Sequence, residues 1–174
     1  MKKVILSALT IYSCQTFATD AESPFYIGAS LLNSETSYLH DKNSDIGYAL
    51  RAGYAFSEYL SVEMAYQDLG TFTWSNSQFE GGGSFNSDAY SMSTVATYPI
   101  NDFSLHLELG YQWVKRKGDI YSVVGNTPPY SFKDSSLMAG VGASYQLAKN
   151  IDVNLTYTKS SLYSWTSLGF KVGF

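Results

Sequence analysis

AGYAFSEYLSVEMAY, Ala52–Tyr66, is the stretch that decides the fold. Ala52, Tyr54 and Phe56 fall on every second position before a polar turn at Ser57-Glu58, and Leu60, Val62, Met64 and Tyr66 do so after it. Arg51, Gly53, Ala55, Ser61, Glu63, Ala65 and Gln67 occupy the alternate positions. A period of two is that of a strand with unlike faces. Here the apolar face is rich in tyrosine and the other face carries full charges.

The same pattern returns in ATYPINDFSLHLELGY, Ala96–Tyr111, and in ASYQLAKNIDVNLTY, Ala143–Tyr157. Each is a strand, a tight polar turn (Asn101-Asp102; Ala148 to Asn150) and a strand ending in Tyr. Three hairpins supply six strands, and flanking strands make eight. The alternation predicts strands over Ser23–Asn33, Asp45–Phe56, Tyr59–Leu69, Ala89–Pro99, Phe103–Val114, Ser136–Leu147, Ile151–Thr158 and Tyr163–Phe174. Ser34–Asn43, Thr71–Asp88 (with Gly81-Gly82-Gly83) and Lys115–Ser135 read as longer loops, and Ser160–Leu162 as a short turn. Lys115–Ser135 still alternates in places, so its flanking strands can run on, with a turn at Gly125-Asn126 or Pro128-Pro129.

With 174 residues the chain suits one domain. No apolar run approaches the ~20 residues of a membrane helix. Met1–Ala18 has the form of an export signal: Lys2 and Lys3, an apolar run from Val4 to Tyr12, and Thr16-Phe17-Ala18 as a small-x-small cleavage site. The mature domain is then 19–174. Without Lys2 and Lys3 the formal charge moves from −4 to −6, which argues against a nucleic-acid partner. Cys14, the single cysteine, lies within the signal, so no disulfide is expected. The rival reading, lipidation at Cys14, has Tyr12 where a small or aliphatic residue is usual.

Apolar faces on eight strands need an apolar medium, and the chain offers no helix or second sheet to supply it. A membrane does. In hydrocarbon no backbone donor can stay unpaired, so the sheet must close. Strands of ~10 residues suit a tilted crossing, and short turns at one end with longer loops at the other are the outer-membrane pattern. The 16% aromatic content fits interfacial girdles. The fold class is therefore all-β, an eight-stranded antiparallel up-and-down transmembrane β-barrel. Its lumen is narrow enough for side chains to fill, and the inward positions carry mainly Gly and Ser with a few charges.

FYIGASL, GYALRAGYAFSEYLSVEMAYQDLG, TYPINDFSLHLELGY and SLGFKVGF carry a resemblance to the OmpA-like outer-membrane β-barrels across essentially the whole mature chain. The resemblance implies a barrel-only member with no peptidoglycan-binding domain, in the outer membrane. Leu168, Phe170, Val172 and Phe174 resemble the signal read by the barrel assembly machinery. It also implies a gate carboxylate at Glu63. The basic partners it implies would fall at Val95 and Asn154, neither of which is basic, and Arg51 can take their place.

A turn centred on Ser57 sets Arg51 opposite Glu63 as an inward ion pair. Aligning Val153 with Phe170 sets Asp152 opposite Lys171, near the periplasmic mouth. His106 and Glu108 also point inward. These groups either satisfy one another, since a buried charge is tolerable only when paired, or line a narrow weak pore. Lys115, Lys117, Lys133 and Lys159 continue outward stripes just above the upper girdle, where they are expected to contact lipopolysaccharide phosphates or to be plain solvated charges.

A lipid A-modifying enzyme is the alternative from another class, with His40 and Asp41 in the first loop and Ser87-Asp88 in the second. The triple glycine lacks a following Lys-Ser/Thr, and no metal spacing appears. The expectation is a non-enzymatic, cofactor-free and monomeric surface barrel. It serves envelope integrity, adhesion or host contact, and its partners are membrane lipid, lipopolysaccharide, the assembly machinery and host surface molecules.

Overall fold

The computed structural model describes residues 24–38, 41–76, 81–122, 125–126 and 130–174. The signal, His40 and the Pro128-Pro129 turn lie outside the described residues. Eight long antiparallel strands follow one another: β1 (Phe25–Tyr38), β2 (Asp41–Ser57), β3 (Leu60–Asn76), β4 (Gly81–Ile100), β5 (Phe103–Ser122), β6 (Tyr130–Ala148), β7 (Ile151–Ser160) and β8 (Tyr163–Gly173). Each pairs with its neighbours in sequence, and β1 pairs with β8, so the sheet is a closed barrel. A two-residue segment, Gly125–Asn126, folds back on the end of β5.

Parity follows the sequence. Leu31, Leu50, Met64, Leu107, Leu155 and Leu168 are exposed on the outer wall, while Arg51 and Glu63 are 7% and 2% exposed inside it. Aromatic rings band that wall at two levels. Phe25, Tyr54 and Phe56 stack edge to face near the tight turns, with centroids 4.9 and 5.0 Å apart. Tyr48, Tyr66 and Tyr90 form a row at the other end, 6.3 and 5.3 Å apart, and Tyr111 and Trp113 continue it at 5.2 Å. Amphipathic rings with aliphatic side chains between them mark the two faces of a membrane.

Four expectations are corrected. First, the parts of Ser34–Asn43, Thr71–Asp88 and Lys115–Ser135 that the structure describes are mostly strand. The segments are polar, but each has a partner strand to take its backbone bonds, so the ladders continue into water. Second, the β2–β3 register is Gly53↔Glu63 and Arg51↔Ala65. The turn is at Glu58-Tyr59 and a bulge between Ala55 and Ser57 shifts the pairing, as an extra residue in one strand must. Third, Tyr121↔Asn126 and Ser122↔Gly125 put Gly125 and Asn126 in a paired strand segment rather than at a turn. Fourth, the lumen is not polar throughout. Leu32, Leu69, Phe72, Phe85, Val114 and Trp165 are among the buried residues of an apolar cluster in its outer half.

A second bulge, between Asp68 and Thr71, turns on Gly70 at φ 93°. Asp68 Oδ1 accepts the Gly70 N–H at 2.9 Å, and Asp45 Oδ2 accepts the Thr71 N–H at 2.6 Å. Only glycine adopts this backbone without strain.

Leu107 stands midway between the two aromatic bands on β5. Leu107→Arg is expected to lower the unfolding free energy in lipid vesicles by about 2–4 kcal/mol, measured by urea titration. A neutral result would place that face out of the hydrocarbon.

Candidate functional site: the lumen and the outer rim

The inward face near the tight turns gathers charge from four strands. Arg51 of β2 donates from Nη1 to Glu63 Oε2 of β3 at 3.3 Å, and the same nitrogen lies 3.9 Å from Glu108 Oε2 of β5. Lys171 of β8 donates from Nζ to Glu63 Oε1. Tyr26 of β1 donates to Glu63 Oε1 at 2.9 Å, and Ser93 of β4 donates to Glu108 Oε1 at 2.7 Å. The Lys171 ammonium also sits 5.1 Å from the centre of the Tyr26 ring. That ring occupies the space beside Gly53, where any side chain would collide with it. Two cations and two carboxylates therefore neutralise one another, with Arg51, Glu63 and Glu108 buried and Lys171 partly exposed.

The diagonal contact survives the shifted register, so Arg51 and Glu63 meet as the sequence suggested. Lys171 does not take the partner expected for it. Asp152 is opposite it in the β7–β8 ladder, but the ammonium reaches across the lumen to Glu63. Val95 and Asn154 are inward and buried, and Arg51 and Lys171 supply the positive charge. His106 is inward and shares a hydrogen bond of 2.8 Å with Thr156 Oγ1, its imidazole lying against Gly142.

Above the charges the lumen changes character. Phe72 packs on Phe85 and on Tyr163, with centroids 5.5 and 5.7 Å apart, and Trp165 is 1% exposed beside them. Ser87 meets the Tyr163 hydroxyl at 2.8 Å within this layer. Leu162, from the tight β7–β8 turn, packs against it from above. Sequence reasoning missed this layer. The signal was available: Leu32, Val114, Met138 and Trp165 all have inward parity.

Of the reactive set proposed for an enzyme, His40 lies outside the described residues. Ser87 is buried inward, whereas Asp88 lies on the outer wall and accepts from the Tyr66 hydroxyl at 3.0 Å. Among the described residues no cluster of His, Cys, Asp and Glu could hold a metal ion.

At the outer rim Lys115, Lys117, Lys133 and Lys159 are all exposed. Lys115 and Lys133 are direct register partners on β5 and β6. Asp88 is the other neighbour of Lys115. Arg116, on the inward face, pairs with Asp134. Leu168, Phe170 and Phe174 are exposed at the opposite end of β8, with Val172 half-buried among them.

The family model for the outer membrane protein beta-barrel domain matches residues 4–174. No curated protein matches the chain. Solved structures do resemble it. Ail, the attachment invasion locus protein of Yersinia pestis, in complex with the heparin analogue sucrose octasulfate, has a TM-score of 0.64 at 22% identity, covering 88% of this chain and 100% of that one. OprG from Pseudomonas aeruginosa has a TM-score of 0.68 at 13% identity, covering 88% and 97%. Neisserial surface protein A has a TM-score of 0.66 at 17% identity, covering 88% and 99%. At these identities the likeness is one of fold.

Removing Glu63 leaves Arg51 and Lys171 without their shared anion. Glu63→Ala is expected to cost about 3–5 kcal/mol of unfolding free energy. Adding Lys171→Met should return part of that loss, and urea unfolding of the two variants in vesicles measures both.

Proposed function

We propose that this chain, which belongs to the outer membrane protein beta-barrel domain family, is a non-enzymatic surface barrel whose work is done at its external rim. One observation carries this reading. Strands β3 to β6 run 17 to 20 residues and rise past the upper aromatic band, while the lumen beneath them is lined by the protein's own ion pairs and packed rings. A passage would require the Glu63 contacts to break and the Phe72–Phe85–Tyr163 layer to open together. The lumen on this reading is a plug that stabilises the wall. The protein is exported by a leader over Met1–Ala18 and acts as a monomer, handed to the membrane by the assembly machinery through Leu168, Phe170, Val172 and Phe174.

Envelope integrity, adhesion or host contact are the roles such a rim serves. Lys115, Lys117, Lys133 and Lys159 suit the phosphates of lipopolysaccharide, because cations at this height face an anionic layer. The similar barrel Ail holds a sulfated heparin analogue, an anion of the same general kind, which supports the reading that the rim meets polyanions. Against an enzyme stands the opposite orientation of Ser87 and Asp88.

Cells displaying the protein are expected to adhere to a host matrix and to lose that adhesion when residues 115–135 are trimmed. Their lipid A mass spectrum should match that of cells lacking the protein. A new lipid A species would replace this reading with the enzymatic one. Changing Lys115, Lys117, Lys133 and Lys159 together to Gln should weaken lipopolysaccharide binding by about tenfold, as expected from roughly 1 kcal/mol for each cation near an anionic surface with some redundancy among them. Equal binding would leave the lysines as plain surface charge.

A further inference from the structure

The barrel is closed through the membrane but open above it. The β6–β7 ladder begins at Met138↔Ser160, and β7 ends there. From Leu137 up to Ser131, β6 pairs with β5 on one side and, among the described residues, with no strand on the other. The start of this free edge lies within the upper aromatic band, where Leu137 faces Tyr111 and Ser135 faces Trp113 across the β5–β6 ladder. Lys133 and Ser131 lie beyond it.

Gln146 donates its N–H to Asp102 O, so even-numbered residues of β6 address β5. The β5–β6 register runs without a shift from there to Tyr130. Ser131, Lys133 and Ser135 therefore turn their N–H and C=O groups away from the sheet. A row of unmet backbone groups is a template for another strand.

The other place where the wall parts is blunted. The β2–β3 ladder stops at Tyr48↔Asp68, but there the Gly70 bulge bends the edge and Asp45 takes the Thr71 N–H. No such cap stands on β6 among the described residues.

We propose that the β6 edge from Ser131 to Ser136 binds an extended segment of a partner polypeptide as an added antiparallel strand, acidic on one face and apolar on the other. This deepens the surface reading above and rests on it. The two faces of the sheet set the chemistry. On the outward face an incoming strand lies beside Lys133, with Lys115 and Lys117 next to it on β5. On the inward face it meets Phe132, which is 59% exposed and stacks edge to face on Tyr130 at 5.4 Å. Residues directly opposite one another share a face in an antiparallel pair, so the acidic residues of the partner are also those whose N–H groups meet the edge.

A second copy of the chain does not fit. Strands in such barrels tilt by roughly 35–45°, so two copies standing side by side in one membrane would cross their edges at about 70–90° rather than run along each other. Their Lys133 side chains would also repel.

The full chain in nanodiscs free of lipopolysaccharide, titrated with a fluorescent peptide of alternating Glu and Val, tests the idea by anisotropy. N-methylation of the Glu amides should weaken binding by about tenfold or more, since it removes the donors that face the edge, whereas N-methylation of the Val amides should change it by less than about twofold. Ser131→Pro with Ser135→Pro should cause the same loss, folding being checked by heat-modifiable electrophoretic mobility. Should that variant not fold, the two methylated peptides on the parent chain still decide. No binding of the parent peptide, or equal effects of the two methylations, overturns the proposal. Cells carrying the proline variant that still adhere to host matrix also overturn it, and in that case the surface reading stands without the edge.

Discussion

Backbone hydrogen bonding in a medium without water governs this structure. In hydrocarbon an unpaired N–H or C=O costs several kcal/mol, and no loop or open edge can be left there. The ladders obey this limit closely. Between the two aromatic bands every strand has two neighbours. The pairings lapse at Tyr48↔Asp68 and at Met138↔Ser160, at or just above the level where Tyr66, Tyr90 and Trp113 mark the water boundary. Beyond that level water can take over the bonding, and the tall strands are released from the requirement to close.

Closure then dictates the interior. Eight strands enclose a lumen too narrow for solvent to be its main content, so side chains must fill it. The chain solves this in two layers of different chemistry. Near the tight turns the space is held by Arg51, Lys171, Glu63 and Glu108 with hydroxyls from Tyr26 and Ser93. Towards the outside it is held by Phe72, Phe85, Tyr163 and Trp165. Charges at this burial are tolerable because each has an opposite partner. The aromatic layer needs no such pairing and excludes water from one end of the charged one.

Much of this was legible in residues. The alternation in Ala52–Tyr66 and its two echoes was enough for strand number, wall orientation and the lumen charges, because a period of two leaves little freedom over which side chain faces lipid. Length beyond the membrane was not legible. Thr71–Asp88 sets Phe72 and Phe85 inward among mostly polar residues and a glycine triplet, and such a stretch looks like a loop until a partner strand is known. Register was misread by two residues at Arg51 and Glu63, since the turn falls at Glu58-Tyr59 rather than on Ser57 and the bulge at Ala55/Ser57 takes back only one residue of that displacement. Long side chains forgave the error, as the two groups still meet diagonally. The choice of Glu63 by Lys171 could not be read either, because it joins strands far apart in sequence across an enclosed space.

Lys171 belongs to the last strand, and Tyr26 to the first. Tyr26 needs no closure to reach Glu63, since the β1–β2 and β2–β3 ladders set Tyr26, Gly53 and Glu63 in one row. Until β8 joins, though, Arg51 is the cation that carboxylate meets, and it must divide itself between two acids. Joining of the ends delivers the Lys171 ammonium to that carboxylate as a second cation. The final act of zipping up the cylinder is thus rewarded inside it as well as along the seam, and a chain stalled one strand short would carry an electrostatic debt at its centre.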